Sequence, residues 1–258
     1  MPRSSPLAAP AASGSSSERS LRLLARLAEE GRPLSLAELA SYLALPKATA
    51  HRLCAQLLET GFIVRGVGER EFVVGPALRK LALDTLNHDS VRGLRHELLA
   101  DLVALVGETC NLTTLDGAAV LYLDRVEAPW PWRLTLAVGE HVPLHCTASG
   151  KLFLALMPPA QREALLAQLK LPRMTDSTIT SARALREECL KIASAGYALD
   201  REEFITGLVA IAVPVLDQQD QVRAALAIHA PRSRLSLEQA QSRLPALRAA
   251  AKRMRKLL

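Results

Sequence analysis

The spacing of apolar positions changes along the chain, and each change marks an element. Over residues 17–30, Leu21, Leu24, Ala25, Leu27 and Ala28 recur three and four residues apart, the signature of one helical face. Gly31 and Pro33 end that helix. A second begins at Ser35 with Glu38 three residues on, a capping box, and carries Leu36, Leu39, Ala40 and Leu43. A third opens with Pro46 at its first position, where a missing N–H costs nothing. It buries Ala50, Leu53, Cys54, Leu57 and Leu58, and Gly61 stops it. Residues 62–65 and 71–74 then read as short strands around Gly66 and Gly68. Three helices and a hairpin over Glu18–Gly75 are the order of a winged helix-turn-helix, which implies DNA binding.

Residues 76–89 continue as a helix with Leu78, Leu81, Ala82, Thr85 and Leu86 on one stripe, suited to pack on the preceding domain or on another subunit. The second half mixes periods. A helical pattern over 91–107 precedes strands at 109–115 and 119–127, turning at Asp116 and Gly117, and a further strand at 132–137. Helices at 147–157, 159–168 and 182–195 are followed by strands at 197–202, 208–216 and 222–229 and a closing helix over 236–257. Strands in runs with helices at both ends predict a mixed, α+β domain on an antiparallel sheet flanked by helices. The expected division is a tail over 1–16, the winged helix-turn-helix over 17–75, a linker helix over 76–89 and a C-terminal domain over 90–258.

Composition adjusts this reading in three places. The chain's 258 residues suit two domains, and with 49% hydrophobic but only 3% aromatic residues the cores must be built from Leu, Ala, Val and Ile. The net charge of +6 fits a polyanionic partner but is spread along the chain: residues 17–80 hold ten Lys and Arg against seven Asp and Glu. Pattern rather than charge therefore carries the DNA reading. Cys54, Cys110, Cys146 and Cys189 form no C-x-x-C pair, so they predict neither a zinc ribbon nor a disulfide framework and read as small buried hydrophobes in a reducing cytosol. No apolar run approaches the roughly 18–20 residues of a membrane span, and Pro6 and Pro10 interrupt residues 1–16, which read as a disordered tail rather than a signal peptide. The expectation is a cytoplasmic protein with no membrane partner, no cofactor and no metal.

Several segments resemble the IclR-type bacterial transcriptional regulators in the family's order and spacing: PLSLAELASYLALPKATAHRL, VLYLDRVEAP, VPLHCTASGK, GYALDREEF and SRLS with the closing helix. The resemblance covers Glu18 to Leu258. It implies an N-terminal winged helix-turn-helix, a C-terminal GAF-like domain that binds a small effector, and homodimers that pair into dimers of dimers.

The third helix should enter the major groove, which admits one helix and offers a distinct code for each base pair. The resemblance places contacts on its PKATAHR segment. Lys47 reaches a phosphate or a guanine edge, Thr49 a phosphate or a thymine methyl, and Arg52 is suited to bidentate guanine recognition or to clamping a phosphate. His51 reads equally as packed inside the turn or as facing DNA. Arg19 and Arg22 match the basic entry to helix one and should touch backbone, while Arg65 and Arg70 flank the wing turn, beside Glu69 and Glu71. The expected partner is double-stranded DNA with a pseudo-palindromic operator.

In the family the effector lies between an LHATAxGK-like loop and the late strands. Here the loop reads Leu144-His145-Cys146-Thr147-Ala148-Ser149-Gly150-Lys151 and opens a helix, so amides at Ala148, Ser149 and Gly150 can face an anion. Asp200, Ala210, Ala227 and His229 match pocket positions, and Leu134, Val142 and Leu208 supply apolar walls. Ala210 replaces a usual Cys, and Ala227 and His229 replace small polar residues. Two polar groups are lost and an imidazole, read as a cation or donor, is gained, which points away from a small 2-oxo acid toward a larger or aromatic carboxylate. Structural alternatives stand beside these roles: Asp200 as a turn cap, Ser149 as part of the helix N-terminus, His229 as a hydrogen-bonded strand-end histidine.

The rival from another class is a thiol-dependent hydrolase using Cys146 and His145, since a helix N-terminus lowers a thiol pKa. Adjacent residues rarely point at each other, however, and no third orienting group is evident. The other histidines, His51, His88, His96, His141 and His229, show no H-E-x-x-H or similar ligand spacing, and a metal site through His141, His145 and Cys146 stands only as a weaker alternative. A purely structural role runs against the outward Lys47 and Arg52.

Overall fold

The computed structural model describes residues 15–66, 70–86, 89–131 and 136–257. The chain divides into two compact units between Leu86 and Asn87. In the first, α1 (Ser16–Glu30) is capped by the Ser15 hydroxyl, which accepts from the Glu18 amide, and ends on Gly31 in the left-handed region. A two-residue strand β1 (Leu34–Ser35) leads into α2 (Leu36–Tyr42), where Ser35 and Glu38 form the capping box read from the sequence. Next come α3 (Lys47–Glu59), β2 (Ile63–Arg65), β3 (Glu71–Val74) and α4 (Pro76–Leu86). The strands form one antiparallel sheet in the order β1-β3-β2. Leu23, Leu27, Leu39, Cys54, Ile63 and Phe72 are the centre of its core, and Leu78 of α4 packs against them.

Three details differ from the sequence reading. The buried face of α1 is Leu23, Leu24 and Leu27, whereas Leu21, Ala25 and Ala28 of the expected face are exposed. Pro46 is the cap residue, one position ahead of the helix, because its ψ of 141° is extended. Strand β1 was not foreseen: two residues carry no periodicity, and only the pairing of Leu34 with Phe72 makes them a strand.

The second unit is built on a six-stranded antiparallel sheet. Its strands are β4 (Thr109–Asp116), β5 (Ala119–Val126), β6 (His141–Pro143), β7 (Ala198–Arg201), β8 (Leu208–Leu216) and β9 (Val222–Pro231), in the order β6-β5-β4-β9-β8-β7. The helices α6 (Ala148–Leu156) and α8 (Ala182–Ala195) cover one face, joined by α7 (Pro159–Leu166). On the other side pack α5 (Asp89–Val106) and α10 (Leu244–Met254). Alternation along β8 sorts the two layers: Ala210 and Ala212 join the α6–α8 core, and the intervening Val209, Ile211 and Val213 are buried on the opposite face.

The strand expected at 132–137 is not observed where it can be judged. Residues 132–135 lie outside the described residues, and beyond them the chain turns: Ala137 donates its amide to Glu140 Oε2 at 2.8 Å, and Gly139 has a φ of 91°. The sheet edge is instead β6, fixed by pairing Val142 with Val120. The closing helix is two helices, α9 (Leu237–Ser242) and α10, because Pro245 cannot donate to the preceding turn.

Candidate functional site

In the first unit the basic residues singled out from the sequence lie on the outside. Lys47, His51, Arg52, Arg65 and Arg70 are exposed, and Arg19, Arg22 and Thr49 are half-buried. His51 is thus not packed inside the turn. Lys47, His51 and Arg52 share the first turns of α3, whose other face carries the buried Ala50, Leu53, Cys54 and Leu57. Arg22 is paired with Glu18 at 2.8 Å, and Arg65 lies over the Phe72 ring at 5.4 Å from its centre. Gln56, one turn beyond Arg52, is exposed as well and was not singled out. Its spacing of four from Arg52 was the available signal.

In the second unit, Val142, Ala148, Ser149, Asp200, Leu208, Ala210, Ala227 and His229 line one cavity of about 30 Å³. Leu134 lies outside the described residues. Asn111, Val120, Tyr122, Leu136, Thr147 and Phe204 complete the wall and were missed. Strand register explains the gathering. Asp200, Ala210, His229 and Thr109 are successive cross-strand partners, and Asn111 pairs with Ala227. Once Ala227 and His229 are chosen, the alternation of β4 points to Asn111; no local pattern pointed to Leu136 or Phe204.

The helix side of the cavity is set by a close approach. A Cβ on Gly150 would collide with the Leu144 carbonyl, so only glycine lets α6 begin this near the preceding loop. Thr147 is the cap: its hydroxyl accepts from the Gly150 amide at 3.1 Å and donates to the Pro143 carbonyl. That removes Gly150 from the amides offered to an anion and relieves Ser149 of a capping role. Among the described residues the amides of Ala148 and Ser149 have no protein acceptor.

The buried polar groups have well-defined partners. Asp200 Oδ1 accepts from the amides of Glu203 (2.7 Å) and Phe204 (3.4 Å), so it does cap a turn while it lines the cavity. Burial, reinforced by the neighbouring Glu203 charge, raises its carboxyl to about 7. Lys151, 0% exposed, is held by Glu203 with Glu188 at 4.0 Å. Tyr122 is pushed up to about 12 by burial, so its phenol stays neutral. His229 Nδ1 lies 3.0 Å from Asn111 Nδ2, and Nε2 lies 3.4 Å from Arg125 Nη2. Burial, aided by the Arg125 charge, lowers the imidazole to about 3, which corrects the reading of His229 as a cation: it is a neutral ring.

The hydrolase chemistry has no support here. Cys146 is fully buried, and burial with the Asp200 and Glu203 charges pushes its thiol up to about 12, the reverse of activation. His145 is engaged with the Pro172 carbonyl at 2.9 Å. The four cysteines are all buried and free.

A helix-turn-helix ahead of a sheet domain is the plan that the comparisons also find. Residues 16–66 match the IclR helix-turn-helix domain, and residues 83–256 match the bacterial transcriptional regulator IclR C-terminal domain. The chain belongs to the IclR family of bacterial transcriptional regulators. Over 242 residues it is 41% identical to the probable transcriptional regulator SauR of Cupriavidus necator, covering 94% of this chain and 96% of the relative. It is 31% identical to the transcriptional repressor IclR of Escherichia coli, over 84% of this chain and 80% of that protein. Among solved structures, an IclR homologue from Microbacterium hydrocarbonoxydans complexed with 4-hydroxybenzoate superposes with a TM-score of 0.59 at 26% identity, covering 95% and 99% of the two chains. This IclR-family chain is thus a helix-turn-helix transcriptional regulator, and the members of its family are regulators rather than enzymes. No helix among the described residues is long and apolar enough to cross a membrane.

Proposed function

We propose that this regulator binds a pseudo-palindromic operator through α3 and releases or tightens its grip when a small organic acid enters the cavity of the second unit. The cavity carries the reading. Its wall combines two unpartnered amides at the start of α6 with buried polar groups and the rings of Tyr122 and Phe204, a setting for a carboxylate on an apolar or aromatic body. The 4-hydroxybenzoate complex of the Microbacterium homologue supports an aromatic acid as a member of that class. A volume of about 30 Å³ suits about one water, so an acid of that size must displace its walls. Leu136 and Phe204 are the half-buried parts of the wall and lie outside strands and helices, where displacement costs least.

On DNA, Arg52 and Lys47 read or clamp the major groove with Thr49 and His51 beside them, Arg19 and Arg22 hold backbone, and Arg65 and Arg70 reach from the wing. A homodimer, pairing further into a dimer of dimers, presents two recognition helices about one turn (~34 Å) apart or a multiple of it. The division of labour is that of the expected domains, with residues 76–89 joining the two in sequence and carrying the coupling. The protein acts in the cytoplasm. By linkage, an effector that weakens operator binding is itself bound more weakly by the DNA complex.

The test is titration of the promoter region beside the protein's own gene, repeated with benzoates and aliphatic acids. Salt-sensitive, specific binding that shifts with one acid is expected. Identical operator affinity with and without a saturating, demonstrably bound acid would end the coupling.

A further inference from the structure

The loop between β7 and β8, residues 202–207, is held in a shape it would not adopt alone. Glu202 has a φ of 63°, in the left-handed region that a non-glycine residue keeps only when its surroundings impose it. The fastenings come from two sides. Thr175 Oγ1 donates to the Glu202 carbonyl and Thr178 Oγ1 to the Glu203 carbonyl, both at 2.7 Å. Glu202 Oε2 accepts from the Gly207 amide at 2.8 Å, and Asp200 Oδ1 accepts from the amides of Glu203 and Phe204. Phe204, carried by this loop, is a half-buried part of the cavity wall.

The carboxylates around the loop are unequally compensated. Glu203 has Lys151, Glu188 has Arg201 at 2.8 Å, and Glu202 has Arg232. Asp200, 2% exposed, has no cation of its own among the described residues. Facing it are Lys151 from α6 with Glu188 of α8 beyond, Tyr122 from β5, Cys146 ahead of α6, and His229 across Ala210 on β9. The phenol, thiol and imidazole are neutral, and Glu203 already holds the ammonium. Glu203 Oε2 is itself buried without a hydrogen-bond partner among the described residues, so that charge too is incompletely matched beside Asp200. A buried carboxyl with two amides on one oxygen and no counter-ion is most stable with a proton on the other. Water reaching it when the loop lifts removes that preference.

We propose that residues 202–207 are a proton-latched lid over the cavity: the lid is closed with a proton on Asp200 and gives that proton up to solvent as it opens. The latch does not depend on what enters the cavity. Linkage sets its direction. The closed carboxyl titrates at about 7, raised by burial, against 3.8 ordinarily. Between those values opening releases a proton, so opening rises with pH; above them both forms are ionised and the rise ends. Acidification therefore closes the lid.

The test is amide hydrogen exchange on the full chain without added acid, corrected for the intrinsic pH dependence of exchange. The Glu203, Phe204 and Gly207 amides report the lid, and β9 amides such as that of Ile228 report global opening. Lid opening should rise about tenfold per pH unit between about 5 and 6.5 and level off above about 7, with β9 still protected. Asp200→Asn keeps an oxygen for the two amides and has nothing to titrate, so its lid opening should not change with pH. Infrared spectra of the parent protein with ¹³C-labelled aspartate should show a buried protonated carboxyl that disappears with a midpoint of about 7, a reading that needs no variant to fold. Lid opening in the parent that is flat with pH, an Asp200→Asn slope equal to the parent's, or no protonated carboxyl below that midpoint would overturn the latch. None of these outcomes bears on the effector reading, because no ligand is added.

Discussion

The two units handle charge in opposite ways. On α3 the charged groups stand in water over an apolar face, and Lys47 and Arg52 have no structural duty to the helix that carries them. Around the cavity the charged and polar groups are buried, and each is tied to the fold: Lys151 to Glu203, Asp200 to two amides, Asn111 to Arg125. Function in the first unit can therefore be removed without touching stability, whereas in the second the two are coupled. A DNA-reading surface meets a hydrated polyanion, so its cations are best left solvated until contact. A small-ligand site must present polar groups that are already desolvated and aimed.

The largest expected effect breaks the second unit. Lys151→Met leaves Glu203 as a buried carboxylate without its cation and should cost ~3–5 kcal/mol in urea unfolding of the full chain. A loss within experimental error would show that water or another group compensates Glu203 and that the cluster is not coupled to the fold. Arg52→Ala is the counterpart. It should weaken operator binding by ~1–3 kcal/mol and leave unfolding within about 0.5 kcal/mol of the parent. Lys47→Ala should also weaken operator binding: a phosphate contact would weaken all sequences alike and lower the salt slope by about one, a guanine contact would relax specificity. Unchanged operator binding in both variants would remove α3 from the DNA interface.

A subtler pair of slopes sharpens the contrast. Asp200 titrates near 7 when folded against 3.8 ordinarily, so the unfolded chain ionises first and stability declines as pH rises through that window. His229 titrates near 3 against 6.5, so the unfolded chain gains the proton first and stability instead rises with pH over its own window. The two oppose each other between about 4 and 6.5. Asp200→Asn should expose a rising stability profile and His229→Gln a falling one, measured as urea midpoints across that range. Parallel profiles in the two variants would contradict the buried protonation states assigned to both. No such slopes are expected from substitutions on the outer face of α3.

The first unit was nearly all legible in the sequence, since its signals are local. Ser35 with Glu38, Gly61 after an apolar stripe, and a basic outer face on the third helix are each read within a few residues. The error at Pro46 is one position, and β1 exists only because Phe72 lies opposite Leu34. In the second unit the strand and helix order was legible for the same reason, as were the cavity positions that the family resemblance supplied. Asn111, Tyr122, Thr147 and Phe204 were not, because lining a cavity is a property of register and packing; of the strand expected at 132–137 only residues 136 and 137 are described, and they lead into a turn at Gly139 before β6.

What the sequence determined alone is the set of elements and their caps, because helix and strand periods and terminal hydrogen bonds act over neighbouring residues. The state of the site was decided by tertiary structure. Asn111 and His229 are 118 positions apart, and Lys151 and Glu203 are separated by 52. A histidine stays neutral, and an aspartate holds its proton near neutrality, only when distant strands and a helix remove the water around them and bring a fixed charge alongside.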